Sequence, residues 1–146
     1  MRRAALPLLL AGILATATAC SAGGEPVTST VMTVDCDTLE QGAADGPPVL
    51  DAARIGSGEH LEVHLCANPS TGFTWEDPTG EGAQAIELVS RADLQTVGGP
   101  PGAAAQEVFT FRGVGPGVTT LHFVYSQPWA GGIKGEWRLD LAVTVE

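Results

Sequence analysis

Alternation of apolar and polar residues at a period of two governs what this chain can fold into. In "EHLEVHLCA", Leu61, Val63 and Leu65 fall on one side, and His60, Glu62, His64 and Cys66 on the other. "QEVFTFRGV" puts Phe109 and Phe111 on one face, and "VTTLHFVY" does the same with Leu121, Phe123 and Tyr125. "WRLDLAVTVE" closes the chain with Leu139, Leu141, Val143 and Val145 in phase. "TVMTVDC", "TWEDP" (ended by Pro78) and "AIELVSRADLQTV" add three further strand segments. Side chains on a strand point alternately to its two faces, so each segment reads as a half-buried strand. Nineteen Gly and ten Pro in 146 residues supply the turns between them. About seven strands at roughly ten-residue spacing predict one all-β domain, an immunoglobulin-like sandwich of antiparallel strands. No helix-period segment is read beyond the first twenty residues, and "DTLEQGAADGPPVLDAARI" reads as irregular and turn-rich.

The amino-terminal residues stand outside that pattern. "MRR" is basic, and "AALPLLLAGILA" is apolar but short for a membrane span. "TATAC" sets small residues before Cys20 and resembles the lipobox of bacterial lipoproteins, with Ala17 where Leu is commoner. The resemblance implies a signal peptide over residues 1–19 and lipid on Cys20. An ordinary secretory signal cut near Ala19 is the alternative, and both place the domain outside the cytoplasm. Residues 20–29, small and polar, read as a flexible tether, and the domain proper as residues 30–146. Cysteine usage fits an oxidising compartment: with Cys20 lipidated, Cys36 and Cys66 remain as a pair. A disulfide there closes a loop that adds about 3 kcal/mol in the chain-entropy account. Two free buried thiols are the alternative.

Seven Lys+Arg against seventeen Asp+Glu give a net charge of −10. Phosphate backbones and anionic lipid surfaces both need basic partners, so the charge argues against nucleic-acid binding and against a polybasic membrane grip. Function is sought in three loops that are richer than turns require. The first is the hexamer "NPSTGF", Asn68 to Phe73. Pro69 fixes one backbone angle, Gly72 permits a tight turn, Ser70 and Thr71 keep the tip narrow, and Asn68 can brace it. Such a loop is a stiff wedge that loses little entropy on binding. The second is "GGPPGAAA", and the third "SQPWAGG", where Trp129 beside Pro128 is a candidate anchor or a ring folded back on the sandwich.

These loops resemble those of the chagasin family of cysteine peptidase inhibitors. The family's Asn-Pro-Thr-Thr-Gly-Tyr/Phe motif stands here as "NPSTGF", with Ser70 for Thr. Its Arg-Pro-Trp motif stands as "QPW", Gln127 to Trp129, after a strand ending "FVY". Its Gly-x-Gly-Gly stretch falls on Gly102, Ala103, Ala104 and Ala105 before "EVFTF", with Ala104 and Ala105 for Gly. The resemblance implies an immunoglobulin-like fold with the three loops side by side at one end. It implies a reversible inhibitor of papain-like cysteine peptidases, acting as a monomer. Asn68, Pro69, Ser70, Thr71, Gly72 and Phe73 would fill the cleft over the catalytic cysteine. Gly102 to Ala105 would lie on the unprimed side, and Gln127, Pro128 and Trp129 on the primed side. Gln127 removes a cation, and the two alanines imply a differently shaped second loop.

Other classes fit less well. Cys66, His64 and His60 share a strand face, but residues two apart lie about 7 Å apart along a strand, too far for a nucleophile–base pair. Three residues in line also fail to converge on one tetrahedral metal. His122 lies opposite Leu121 and Phe123 and reads as a polar outer-face residue. No enzyme activity, metal or cofactor is expected. The rival reading is an envelope lipoprotein that holds a protein or peptide partner through the same loops without inhibiting a peptidase.

Overall fold

The computed structural model describes residues 27–46, 48–94 and 104–146. The signal segment, Cys20, most of the tether, Gly102 and Ala103 lie outside the described residues. In chain order the elements are β1 (Ser29–Val34), α1 (Cys36–Asp45), β2 (Val49–Ile55), β3 (His60–Ala67), β4 (Thr74–Trp75), β5 (Thr79–Gly82), β6 (Ile86–Leu94), β7 (Ala105–Gly113), β8 (Gly117–Ser126) and β9 (Trp137–Val145). One sheet has the order β1-β3-β7-β6, and the other β2-β9-β8-β4 with β5 also on β8.

The core lies between the two sheets and is made by the predicted alternation. Leu61, Val63 and Leu65 of β3 and Phe109 and Phe111 of β7 face Leu121, Phe123 and Tyr125 of β8 and the four apolar residues of β9, all buried. Phe123 sits at the centre, edge-on to Phe109, Phe111 and Trp75 at 5.4, 6.2 and 6.5 Å between ring centroids. Edge-to-face contacts of this kind add to the area that the rings remove from water.

Residues 29–55 depart from the sequence reading in two ways. Residues 36–45 form a helix, and residues 49–55 a strand, where an irregular segment was expected. The Asp35 carboxylate caps the helix by accepting the Thr38 amide at 2.8 Å, and Gly46, at φ 87°, closes it. Among the α1 residues whose side chains are described, only Leu39 is fully buried in the core, so the helix leaves no apolar period in the sequence. Gly42 fits against Val49, where an added Cβ would stand 2.4 Å from the valine methyl. The second departure is strand direction: β1 pairs with β3, and β2 with β9, in parallel. Strands joined by a hairpin run antiparallel, whereas β1 and β3 are separated by α1 and by a strand of the opposite sheet. Both sheets are therefore mixed.

The same topology gathers the loops. β3 ends at Ala67, opposite Ala105 at the start of β7, and Leu94 at the end of β6 lies beside Gln106. β8 ends at Ser126 beside Thr74, and β9 begins at Trp137 beside Tyr125. The hexamer, the strand ends that flank residues 95–104, and the loop 127–136 thus share one end of the sandwich.

Candidate functional site

The hexamer carries the chain from β3 in one sheet to β4 in the other. Pro69–Thr71 form a single 3-10 turn, closed by Thr71 N–H to the Asn68 carbonyl and Gly72 N–H to the Pro69 carbonyl, both 3.1 Å. Gly72 takes φ 77°, a left-handed conformation that costs a residue with a side chain energy. The hydroxyls turn inward: Ser70 donates to Asn68 Oδ1 at 2.5 Å, and Thr71 to the Asn68 carbonyl at 2.6 Å. Pro69, Ser70 and Thr71 remain exposed. The loop is a compact turn whose polar groups are largely used up inside it.

Its base is held from below. The Asn68 amide donates to the Tyr125 hydroxyl at 2.7 Å, and Phe73 stacks on the Tyr125 ring at 5.4 Å. Tyr125 stacks in turn on Trp137 at 4.7 Å. Burial raises the Tyr125 phenol above its ordinary range, with the Asn68 amide pulling it back. Trp75 is fully buried and donates its indole N–H to the Cys66 carbonyl at 3.0 Å. On the exit side, the buried Glu107 carboxylate accepts the Thr74 hydroxyl at 3.0 Å and the Trp75 amide at 3.1 Å. Its other oxygen pairs with Arg91 at 2.6 Å, which satisfies a charge that burial would otherwise make costly. Arg91 also lies over the Phe109 ring, 5.1 Å from its centroid. A disulfide joins Cys36 and Cys66, with Cα atoms 5.2 Å apart, and so ties the start of α1 to the strand that delivers the hexamer.

The third loop leans on the first. Trp129 is half exposed, and its ring covers Gly72, where an added Cβ would lie 2.6 Å from the indole. The ring is therefore neither free nor folded onto the sandwich; it braces the hexamer and keeps one face outward. Gln127 is used internally: its Oε1 accepts the Ile133 amide at 3.0 Å, and its Nε2 reaches the Thr71 carbonyl at 3.5 Å. Lys134 donates to the Gln127 carbonyl. Gly132 is required by close approach, since a Cβ there would lie 2.7 Å from Gln127 Cβ. Pro128 is exposed.

Of the second loop, Ala104 is exposed near the hexamer, while Ala105 is buried in β7, paired with Ala67. Ala105 thus belongs to the sheet and presents little surface to a partner. Among the described residues no non-glycine takes a positive φ, so Ala104 and Ala105 sit in ordinary backbone. Elsewhere, His64 lies 3.3 Å from both Glu62 and Gln106, and Cys66 is bound to Cys36, so the structure does not bring His60, His64 and Cys66 together as a cluster. Sequence reading missed Glu107, Arg91 and Tyr125 as the hexamer's supports. A signal existed for Glu107: it is in phase with Phe109 and Phe111, which places a carboxylate on the core face of a strand.

The family model described as Chagasin family peptidase inhibitor I42 matches residues 54–143. The chain belongs to this family, whose members inhibit peptidases and are not enzymes. Among solved structures, the cysteine protease inhibitor EhICP2 from Entamoeba histolytica matches with a TM-score of 0.60 at 19% identity, covering 84% of this chain and 100% of that one. PbICP-C, in its complex with falcipain-2, matches with a TM-score of 0.55 at 14% identity, covering 82% and 99%. At these identities the likeness is one of fold. Among curated proteins none matches the chain.

Proposed function

We propose that the chain is a reversible inhibitor of papain-like cysteine peptidases, with the hexamer Asn68–Phe73 as the plug of the cleft. The observation that carries this reading is the hexamer itself: a narrow, exposed, internally bonded turn, braced from beneath by Tyr125 and from the side by Trp129. A peptidase cleft binds its substrate extended. A closed 3-10 turn offers no extended peptide bond to the catalytic cysteine, and its two hydroxyls are engaged within the loop. Blockage by occupancy needs stiffness, because a preformed loop loses less entropy on binding. Pro128 and the outer face of Trp129 would meet the primed side, and the segment ending at Ala104 the unprimed side. Gln127 contributes by holding the third loop in shape, where the family motif carries a cation. The printed descriptions of the two structural relatives, a cysteine protease inhibitor and a complex with falcipain-2, support the choice of peptidase class.

On the sequence features of residues 1–29, the domain would be exported and held to a membrane through lipid on Cys20. Its partner would then lie outside the cytoplasm.

The test is an inhibition titration of papain and a cathepsin L-like enzyme, with recovery of the protein afterwards. Inhibition at or below the micromolar range, with the hexamer uncleaved, supports the reading. No inhibition of either enzyme at tens of micromolar would hand the loops to the non-inhibitory envelope reading.

A further inference from the structure

The family match begins at residue 54, so β1 and α1 precede the matched region. The Cys36–Cys66 disulfide nevertheless fixes the start of α1 next to the hexamer. Between them lies an open pocket of about 290 Å³. Glu40 of α1 forms part of one wall, Thr71 and Phe73 of the hexamer part of another, and Tyr125, Glu136 and Trp137 are among the rest of the lining. Phe73, Tyr125 and Trp137 make one continuous stack, with interplanar angles of 21° and 9°. Glu40 and Glu136 are exposed, and neither forms an ion pair among the described residues. The nearby basic side chains are directed elsewhere: Lys134 to the Gln127 carbonyl and Arg138 to the Gly46 carbonyl. Neither lines the pocket. Outside the described residues the chain carries only Arg2 and Arg3 as basic side chains.

We propose that this pocket is a subsite for an arginine side chain of the target peptidase, taken from the rim of its cleft. An aromatic lining flanked by two carboxylates matches a guanidinium, which is planar, stacks on rings and donates hydrogen bonds in a fork. An ammonium is a compact, strongly hydrated point charge and suits a stacked lining less well. The identity of the partner rests on the inhibitor reading, since only a hexamer seated in a cleft brings the cleft rim over this pocket. Selectivity would then follow from which peptidases carry arginine there, and the amino-terminal helix would supply it through Glu40.

The site can be tested apart from inhibition. The full chain is titrated with Nα-acetyl-arginine methylamide, and with the neutral isostere Nα-acetyl-citrulline methylamide, while the Trp137 indole and the Thr71 and Phe73 amides are followed by NMR. Saturable shifts are expected with the arginine probe, and binding weaker by about tenfold both for the citrulline probe and in the Glu40→Gln/Glu136→Gln variant. Equal binding of the two probes, unchanged binding in that variant, or no saturable shift at tens of millimolar would overturn the site. The same variant is then titrated against papain and the cathepsin L-like enzyme. Reduced inhibition of at least one enzyme, with an unchanged denaturation midpoint, supports the subsite. Wild-type inhibition of both by the variant removes the subsite and leaves the inhibitor standing. If the wild-type chain inhibits neither enzyme, the inhibitor reading fails, and the peptidase subsite with it.

Discussion

The first and third loops sit against each other, yet they are held by different means. The hexamer is fixed by short-range turn bonds above and by the buried aromatic cluster below, through Asn68 to Tyr125 and Phe73 on its ring. The third loop is closed across its own neck, by the Gln127 amide on the Ile133 carbonyl at 2.8 Å, the Ile133 amide on the Gln127 side chain at 3.0 Å and Lys134 on the Gln127 carbonyl, and Trp129 at its tip rests on Gly72. The first loop therefore takes its stiffness from the core as well as from its own turn, and the two loops brace each other where Trp129 meets Gly72. Of the two, the hexamer is the one tied directly to the buried aromatic cluster.

The largest expected effect breaks the base of the hexamer. Trp75→Ala removes a fully buried ring and the bond to the Cys66 carbonyl, and should cost about 3–5 kcal/mol, read as a fall in the urea midpoint. Next is the staple. Replacing Cys36 and Cys66 by Ser should cost about 3 kcal/mol by the same readout, and should free α1 from the hexamer while leaving the third loop in place. Gly72→Ala tests the contact between the loops. It forces a side chain into a left-handed position under the indole, at a cost of about 1–3 kcal/mol, and Trp129 fluorescence should shift to the red as the ring is displaced. Gln127→Ala acts mainly on the third loop, since its bond to the Thr71 carbonyl of the hexamer is the longer of its two side-chain bonds, 3.5 Å against 3.0 Å. It should cost about 1 kcal/mol and speed exchange of the Ile133 amide more than that of the Thr71 and Gly72 amides.

His122 provides a control far from both loops. Its Nδ1 lies 2.7 Å from Asp140 and its Nε2 3.7 Å from Glu81, and the hydrogen bond to Asp140, more than any other cause, holds its pKa above the ordinary 6.5 while burial opposes it. A folded pKa above the unfolded value stabilises the native state fully below pH 6.5, and that stability fades as pH rises through the raised value. Stability followed across that window should decline slightly, His122→Gln should flatten the trend, and neither loop should respond.

Much of this was legible in the chain. The inward residues of β3, β7, β8 and β9 follow from period-two alternation, because one buried face is all that such a strand needs. The hexamer's shape follows from Pro69 and Gly72, whose backbone preferences are local. The helix was not legible, since among its described side chains Leu39 alone is fully buried and Gly42 reads as a breaker until Val49 is seen against it. The parallel pairs were not legible either, because direction depends on which sheet the intervening segment visits. The third loop's bracing is tertiary: nothing local announces that Gln127 turns inward or that Trp129 needs a glycine from another loop beneath it.

If the hexamer covers the catalytic cysteine of its target, as proposed, that thiol is shielded from alkylation. Papain is treated with iodoacetamide alone, with the wild-type chain, and with a Thr71→Arg variant that keeps the wild-type denaturation midpoint. The wild-type chain should slow alkylation in proportion to the enzyme bound, and the variant, its tip enlarged, should do so only at much higher concentration. Inhibition of papain with the thiol alkylated at the free-enzyme rate, or equal protection by the variant, would contradict that placement of the hexamer.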